Sequence, residues 1–458
     1  MIYEKYKKIE SSWLKAVPSH WEIRRIASVF EQRKERNKPI KTEEILSLSA
    51  KYGVSLYSER KEKGGNKPKE DISNYNICHE GDILVNCMNI VAGSVGMSQY
   101  YGAISPVYYA LKIIDDNSDK RYMEYVFRNY DFQRSLVGTG KGIQMSESDD
   151  GRLFTVRMRI AYDSLKVQNI PIPPLKEQEQ LANFLNWKTN VIDKTIEIEQ
   201  KKINAAKNLK KSVLQEVIMK EKSGENYKNS GLLWIEKIPT TWEVKKVKQL
   251  LEKKAEVATY EDETVICSNH GYSFLRGEQK IGLSSDDINM YQKVSKGQIM
   301  VHGMDTWHGA ICISSHDGKC TKVVHVCESK ANYEYIVYYL RLLAFIGMYK
   351  PYSDGVRQNT SDFRSWSKLG TIDVLLPPRK EQDEIVRRIK DVEKVCDNII
   401  ISAKKIIEEN TLLKQSIISE VVTGQIDIRN IDIPEYEKVE SVFEEDEDQV
   451  EGGEDEWD

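Results

Sequence analysis

The chain has 458 residues, 40% of them hydrophobic, and balances 67 Lys plus Arg against 71 Asp plus Glu for a formal net charge of −4. That content fills the cores of several domains and excludes a disordered body. The charge is held unevenly, because residues 431–458 carry 14 acids against Lys438 alone, a −13 block that leaves +9 on everything before it. Asymmetry of this kind marks a nucleic-acid or interaction protein with a solvated acidic tail.

In chain order, Met1–Glu10 is charged and has no apolar h-region, so no secretion signal is expected. The segment Trp13, Val17, Pro18, Trp21, Glu22, Ile23, Arg24, Arg25, Ile26 follows, and it returns as Trp234, Ile238, Pro239, Trp242, Glu243, Val244, Lys245, Lys246, Val247 at a constant offset of 221. The Glu22-Ile-Arg24 and Glu243-Val-Lys245 triplets imitate one end of a nuclease centre, but they recur with the tryptophans and read as structural edge strands. Short β-prone runs (Ile83-Leu-Val, Val107-Tyr-Tyr-Ala-Leu) and a helical pattern over Arg121–Leu136 predict a mixed α/β region. Pro173, Pro174, Lys176, Glu177, Gln178 come next and return as Pro377, Pro378, Lys380, Glu381, Gln382 at offset 204. The two halves share their edges, and the interior of the first is 17 residues longer.

Beyond each Pro-Pro pair, Leu175–Ser223 and Arg379–Thr423 contain neither Gly nor Pro and predict two long helices. In the second, Ile385, Ile389, Val392, Cys396, Ile399, Ala403, Ile406, Asn410, Leu413 and Ile417 recur at steps of four and three, a heptad seam that needs a helical partner. At 1.5 Å per residue such a helix is about 65 Å long, too long for a small core to cover. The economical arrangement pairs the two helices with each other, antiparallel, about an approximate two-fold axis. Between them, Val265-Ile-Cys, Val323-Val-His-Val and a helical pattern over Tyr333–Met348 repeat the mixed α/β character. No apolar run approaches the roughly 18 residues of a bilayer span, since Arg341 interrupts Tyr335–Met348. None of the seven cysteines lies in a CxxC pair, which reads as reduced thiols in a cytosolic protein.

The Trp/Pro/Trp-Glu motifs, the Pro-Pro-x-Lys-Glu-Gln helix starts and their duplicated order together resemble the specificity subunit of a type I restriction-modification system, over roughly residues 11–424. The resemblance implies an α+β fold in which two mixed α/β target recognition domains, related by duplication, are separated by two antiparallel coiled-coil helices. The layout is a first recognition domain over 1–170, a first spacer helix over 171–225, a second recognition domain over 226–372, a second spacer helix over 373–424, and a disordered acidic tail over 425–458. Each domain would read one half of a bipartite DNA target. The helices would set the spacer and dock two adenine methyltransferase (modification) subunits, with Glu177, Gln178, Glu381 and Gln382 at the partner contacts. Restriction/translocase subunits would join for cleavage. The chain itself would be non-catalytic and free of cofactor and metal, with AdoMet, ATP and Mg in the partners, and would act on double-stranded DNA in a bacterial or archaeal cytoplasm. The Pro-Pro sites read Ile172-Pro-Pro-Leu175 and Leu376-Pro-Pro-Arg379 rather than a catalytic Asn/Asp-Pro-Pro-aromatic tetrapeptide. A coiled-coil scaffold with two protein-binding heads, or the specificity portion of a fused methyltransferase-nuclease, are the alternatives.

Candidate DNA contacts follow from charge and glycine. Arg60, Lys61, Lys63, Lys67 and Lys69 form a basic run around Gly64 and Gly65. Lys141 and Gln144 sit in or beside a glycine-rich stretch that departs from a Walker loop at Ser135 and Gly142, and Arg357 and Gln358 lie in the comparable stretch before the second Pro-Pro pair. Arg152, with Arg157 and Arg159, lies in the longer first half; Arg276, with Lys280, is the looser counterpart in the second. Each stretch also reads as exposed connecting surface. His302, His308, Cys312, His316, Cys320, His325 and Cys327 crowd one segment without any zinc-finger spacing, so no metal is expected there.

Overall fold

Each Trp/Pro/Trp-Glu motif forms a hairpin and then a strand that closes onto the residues just before the Pro-Pro pair. The computed structural model describes residues 2–50, 53–59, 68, 71–140, 145–147, 153–155, 159–219, 226–279, 287–349 and 363–437. The chain divides into a first unit, Met1–Glu199 with Lys405–Asp458, and a second, Gln200–Lys404.

In the first unit, Tyr6–Lys8 pairs with Ala16–Pro18, and Glu22–Arg25 pairs antiparallel with Asn169–Ile172. A four-stranded antiparallel sheet follows, in the order Phe30–Gln32, Tyr108–Ile113, Ile83–Asn86, Val95–Met97. Two strand pairs flank it, Leu46–Ser49 with Gly53–Leu56 and Asn76–Cys78 with Gly102–Ile104. The strand Ile83–Asn86 is buried along its whole length because both faces of the sheet are covered. Ile83 and Val85 point into the core beneath the helices, while Leu84 points into a smaller cluster with Leu46, Leu48, Cys78, Ile104 and Ala110. The single helix expected over Arg121–Leu136 is two helices, Lys120–Arg128 and Tyr130–Ser135. Asn129 breaks them apart: its backbone is extended and its side-chain oxygen accepts the Phe132 N–H, capping the second helix.

The second unit repeats this plan. Tyr227–Leu232 pairs with Ile235–Pro239, and Glu243–Lys246 with Asp373–Leu376. The sheet order is Leu251–Lys254, Val324–Ser329, Ile299–His302, Ile311–Ile313, flanked by Val265–Cys267 with Ser273–Leu275 and by Tyr291–Val294 with Gly318–Thr321. Ile299 and Val301 face the helix Tyr333–Phe345, and Met300 faces the opposite cluster with Cys267, Cys312 and Cys320. The pair Met145–Glu147 with Leu153–Thr155 has no counterpart among the described residues of the second unit and falls in the longer first half. The Glu-x-basic triplets are strand residues, as expected.

The long helices run over Leu175–Met219 and Arg379–Val422. The start of the first and the end of the second lie in the first unit, where Leu181, Leu185, Ile418 and Val421 join one core. The second unit holds the other two ends, with Leu214, Val217, Ile385 and Ile389 in its core. In the first unit Lys414 Nζ binds Asp193 at 2.7 Å; in the second, Lys210 Nζ binds Asp397 at 2.8 Å. These are one ion pair written twice at offset 204, and each joins opposite ends of the two helices, as antiparallel packing requires.

The seam differs in period from the expected heptad. Leu181, Ile192, Ile203 and Leu214 are buried at 11-residue spacing, and their copies Ile385, Cys396 and Ile418 are buried likewise, with Ile407 half-buried. Eleven residues make three turns at about 3.67 residues each, so the stripe stays in phase without a left-handed supercoil. Ile399 and Leu413, placed on the seam by the heptad reading, are 40% and 48% exposed. Asn410 does not reach across either, because its Nδ2 donates to Ile406 O of its own helix at 2.9 Å.

The expected tail begins later than residue 425. Ile428 is fully buried, Arg429 lies over the Tyr3 ring, and Gln180 Nε2 and Asn190 Nδ2 donate to Ile431 O and Glu437 O at 2.8 and 2.9 Å. Residues 425–437 are therefore a strap on the first unit, held by backbone carbonyls and by apolar side chains that the acidic composition hides; 438–458 lie outside the described residues.

Candidate nucleic-acid interface

The four side chains expected at partner contacts hold the helix starts together. Proline gives no N–H, and the first turn of a helix leaves its amides unpaired, so the junction needs side-chain bonds. Gln178 Oε1 accepts the Asp119 N–H at 2.9 Å, and its Nε2 donates to Pro173 O at 2.7 Å and Asn117 O at 3.0 Å. Gln382 repeats this with Asn332 N–H at 2.9 Å and Pro377 O at 2.7 Å. Asp119 and Asn332 are the N-caps of the helices Lys120–Arg128 and Tyr333–Phe345, so one glutamine ties the spacer helix to the domain helix.

The neighbouring glutamates take the tryptophans. Trp21 Nε1 donates to Glu177 at 3.0 Å and Trp242 Nε1 to Glu381 at 2.9 Å, and each carboxylate sits at a helix N-terminus, where the dipole favours it. Glu177 also accepts from Tyr3 Oη at 2.6 Å and lies 2.8 Å from His20 Nε2; burial and this carboxylate together push the Tyr3 hydroxyl well above its ordinary value. Glu177 and Gln178 are buried, Gln382 is buried and Glu381 half-buried. Their polar groups serve their own unit, and within the motif Pro174 and Lys176 with their copies Pro378 and Lys380 are the residues exposed in both copies.

Of the expected DNA contacts, Arg60, Lys61, Lys63, Lys67, Lys69, Lys141, Gln144, Arg152, Arg357 and Gln358 lie outside the described residues. Arg276 is half-buried at the start of a four-residue helix, with its N–H on Thr264 O at 2.8 Å. Arg159 is exposed beside Tyr109. The described flanks relate two of the stretches: Arg60 follows the strand Gly53–Leu56 and the turn Tyr57–Glu59, and Arg276 follows the matching strand Ser273–Leu275.

Those two hairpins share a feature that the charge-based reading missed. Gly53 and Gly271 hold their turns at φ +69° and +85°, and each is covered by an arginine from the domain helix. A Cβ on Gly53 would stand 3.2 Å from Arg128 Nη2, and one on Gly271 only 1.9 Å from Arg341 Nη1. Arg128 is paired with Glu124 at 2.8 Å. Val337 stands where that glutamate would be in the second unit, and Arg341 Nε is buried with no hydrogen-bond partner among the described residues. Burial pulls the Arg341 guanidinium below its ordinary pKa. The signal was present as a third repeat, Tyr52-Gly53-x-Ser55 against His270-Gly271-x-Ser273 at offset 218. It is too short to find before the hairpins are aligned.

Of the histidines and cysteines of the second unit, three have partners of different kinds. His302 Nδ1 binds Asp305 at 3.0 Å, His325 Nε2 meets Phe363 O at 2.7 Å, and Cys312 Sγ packs 3.4 Å from Cys267 Sγ in the core. Among the described residues no three such side chains converge on a metal position. No helix of the described residues is long and apolar enough to cross a membrane.

Residues 18–208 match the family model described as type I restriction modification DNA specificity domain. Two curated relatives from Methanocaldococcus jannaschii, a putative type I restriction enzyme MjaX specificity subunit and the type I restriction enzyme MjaVIII specificity subunit, are each 24% identical. The alignments cover 93% and 91% of this chain and 97% and 95% of theirs. In fold, the chain resembles one from a solved type I restriction-modification assembly, at TM-score 0.61 and 12% identity, over 90% of this chain and 99% of that one. With the duplicated frame, its paired helices and these near full-length alignments in agreement, the chain is similar throughout to the specificity subunits of type I restriction-modification systems, and residues 18–208 match their DNA specificity domain.

Proposed function

We propose that each unit reads one half of a bipartite double-stranded target, and that the long helices hold the two readers at a fixed separation. The observation that carries this is the unequal duplication. The Trp–Glu bond, the Gln bridge and the Asp–Lys pair recur almost unchanged. Among the described residues the parts outside that frame differ, with a strand pair in the first unit that the second lacks and an arginine Nε in the second that has no hydrogen-bond partner. Equal frames suit equal partners, and unequal readers suit unequal half-sites.

Two modification subunits dock on the helices, and restriction/translocase subunits join them. AdoMet, ATP and Mg act in those partners, and this chain contributes no catalytic group, inside a bacterial or archaeal cell. Exposed apolar side chains repeated in both copies support this docking: Val191 and Leu413 in the first unit, Val395 and Leu209 in the second, between 46% and 58% exposed. Unburied valine and leucine at matched positions point to a partner that binds twice. Sequencing adenine methylation in a host that expresses the complex is the test. A split motif with an unspecified spacer supports the reading, and a continuous motif or none refutes it.

A further inference from the structure

We infer that the turn Ser268–Tyr272 is a DNA-reading element of the second unit, in which the exposed, stacked rings of His270 and Tyr272 meet bases of one half-site and Arg341 holds the turn and draws it toward phosphate. The inference rests on the reading above that this unit reads one half of the target.

The turn is built for presentation. Ser268 N–H donates to Tyr272 O and Gly271 N–H to Ser268 O, both at 3.0 Å, and His270 N–H donates to Ser268 Oγ at 3.1 Å. The rings of His270 and Tyr272 lie 6.1 Å apart at 15°, both exposed, and Phe274 follows 6.1 Å from Tyr272. Aromatic side chains with two rotatable bonds lose little entropy on contact and offer flat faces to base edges, thymine methyls or an opened step. A rigid turn removes the backbone share of the ordering cost.

Arg341 supplies the second observation. Its guanidinium fills the space under Gly271, so tightly that any side chain there would strike it, and lies 5.5 Å from the Phe345 ring. Arg341 Nε is shielded from water with no hydrogen-bond partner among the described residues, and Glu393, the carboxylate whose charge reaches this guanidinium, already accepts from Tyr338, so an approaching phosphate offers the arginine a partner. The first unit neutralises the equivalent Arg128 with Glu124, so the two turns present different fields to DNA. Arg341 acts through the turn and is a positioning residue.

The test uses the assembled restriction-modification complex with H270A/Y272A in this chain, with H270F/Y272F as the conservative control, and reads adenine methylation across the host genome. The expected result is a roughly tenfold or greater loss of methylation at the full motif, with bases of one half-site becoming degenerate, the other half unchanged, and the Phe pair largely restoring both. A folded H270A/Y272A complex that methylates the wild-type motif to the wild-type extent overturns the inference. Should that variant fail to fold, photocrosslinking of the wild-type complex to duplexes carrying 5-iodouracil at each thymine decides. Adducts on His270 or Tyr272 from one half-site support it, and their absence from every position overturns it. A wild-type complex that shows no split motif would instead refute the two-reader reading itself.

Discussion

Replacing Gln178 by leucine keeps the side-chain volume and removes every polar contact of that side chain at the first helix start. The wild-type amide joins Asp119 N–H, Asn117 O and Pro173 O at 2.9, 3.0 and 2.7 Å, and its side chain is fully buried. A buried polar group left without a partner costs about 1–3 kcal/mol. The Pro173 carbonyl is deeply buried and bears the full cost, while the other two are partly wetted, so the loss comes to about 3–5 kcal/mol. Gln382→Leu releases only Asn332 N–H and Pro377 O and is expected to cost about 2–4 kcal/mol. A two-unit chain does not melt as one transition, so amide hydrogen exchange over Lys120–Arg128 and over Tyr333–Phe345 is the suitable readout. Each variant should lose protection in its own unit's helix and leave the other unit's helix unchanged. If Q178L costs under 1 kcal/mol and the Lys120–Arg128 amides keep their protection, the glutamine is not what ties the two helices together.

The duplicated ion pair gives a charge-swap test: Asp193→Lys or Lys414→Asp alone should destabilise the first unit by about 1 kcal/mol, and the double swap should recover most of it, as read by a double-mutant cycle in urea. Full additivity would show that the pair carries no coupling. In the second unit, burial holds His325 below the ordinary histidine pKa of 6.5, with Nε2 on Phe363 O and a buried Nδ1 that protonation would leave unpaired. The unfolded chain then takes up the proton first, so stability is complete above about pH 6.5 and falls as pH drops toward the lower folded value. Melting of the second unit between pH 7.5 and 5.5 should show this fall, and His325→Phe should flatten it; an unchanged slope would assign the effect elsewhere. Deleting 438–458 should leave the stability of the first unit within about 0.5 kcal/mol and raise non-specific DNA affinity at low salt, whereas deleting 425–458 should cost about 2–4 kcal/mol by removing buried Ile428 and the Arg429–Tyr3 contact. Equal stability of the two truncations would exclude the strap, and unchanged DNA affinity would exclude competition by the tail.

Periodicity and repetition are local properties, and the sequence alone carried them. The two offsets, the two long helices and a few of the strands follow from residue order, because a helix without Gly or Pro and a duplicated Trp/Pro/Trp-Glu motif need no distant partner to be recognised. What the repeated residues do was a matter of tertiary structure. Glu177 and Gln178 carry charge and amide suited equally to a partner or to a junction, and only the approach of Trp21 and Asp119, distant in sequence, decides between them. The seam is similar: heptad and 11-residue spacings share Ile385, Ile389, Cys396 and Ala403 and part where Ile399 and Leu413 turn to solvent. The turn at Gly271 was invisible for the same reason, since a glycine acquires meaning there from Arg341, a helix residue 70 positions away that folding brings beneath it. Sequence determined that this protein is one frame written twice; the tertiary structure decided which repeated residues are spent holding the frame and which are left facing outward.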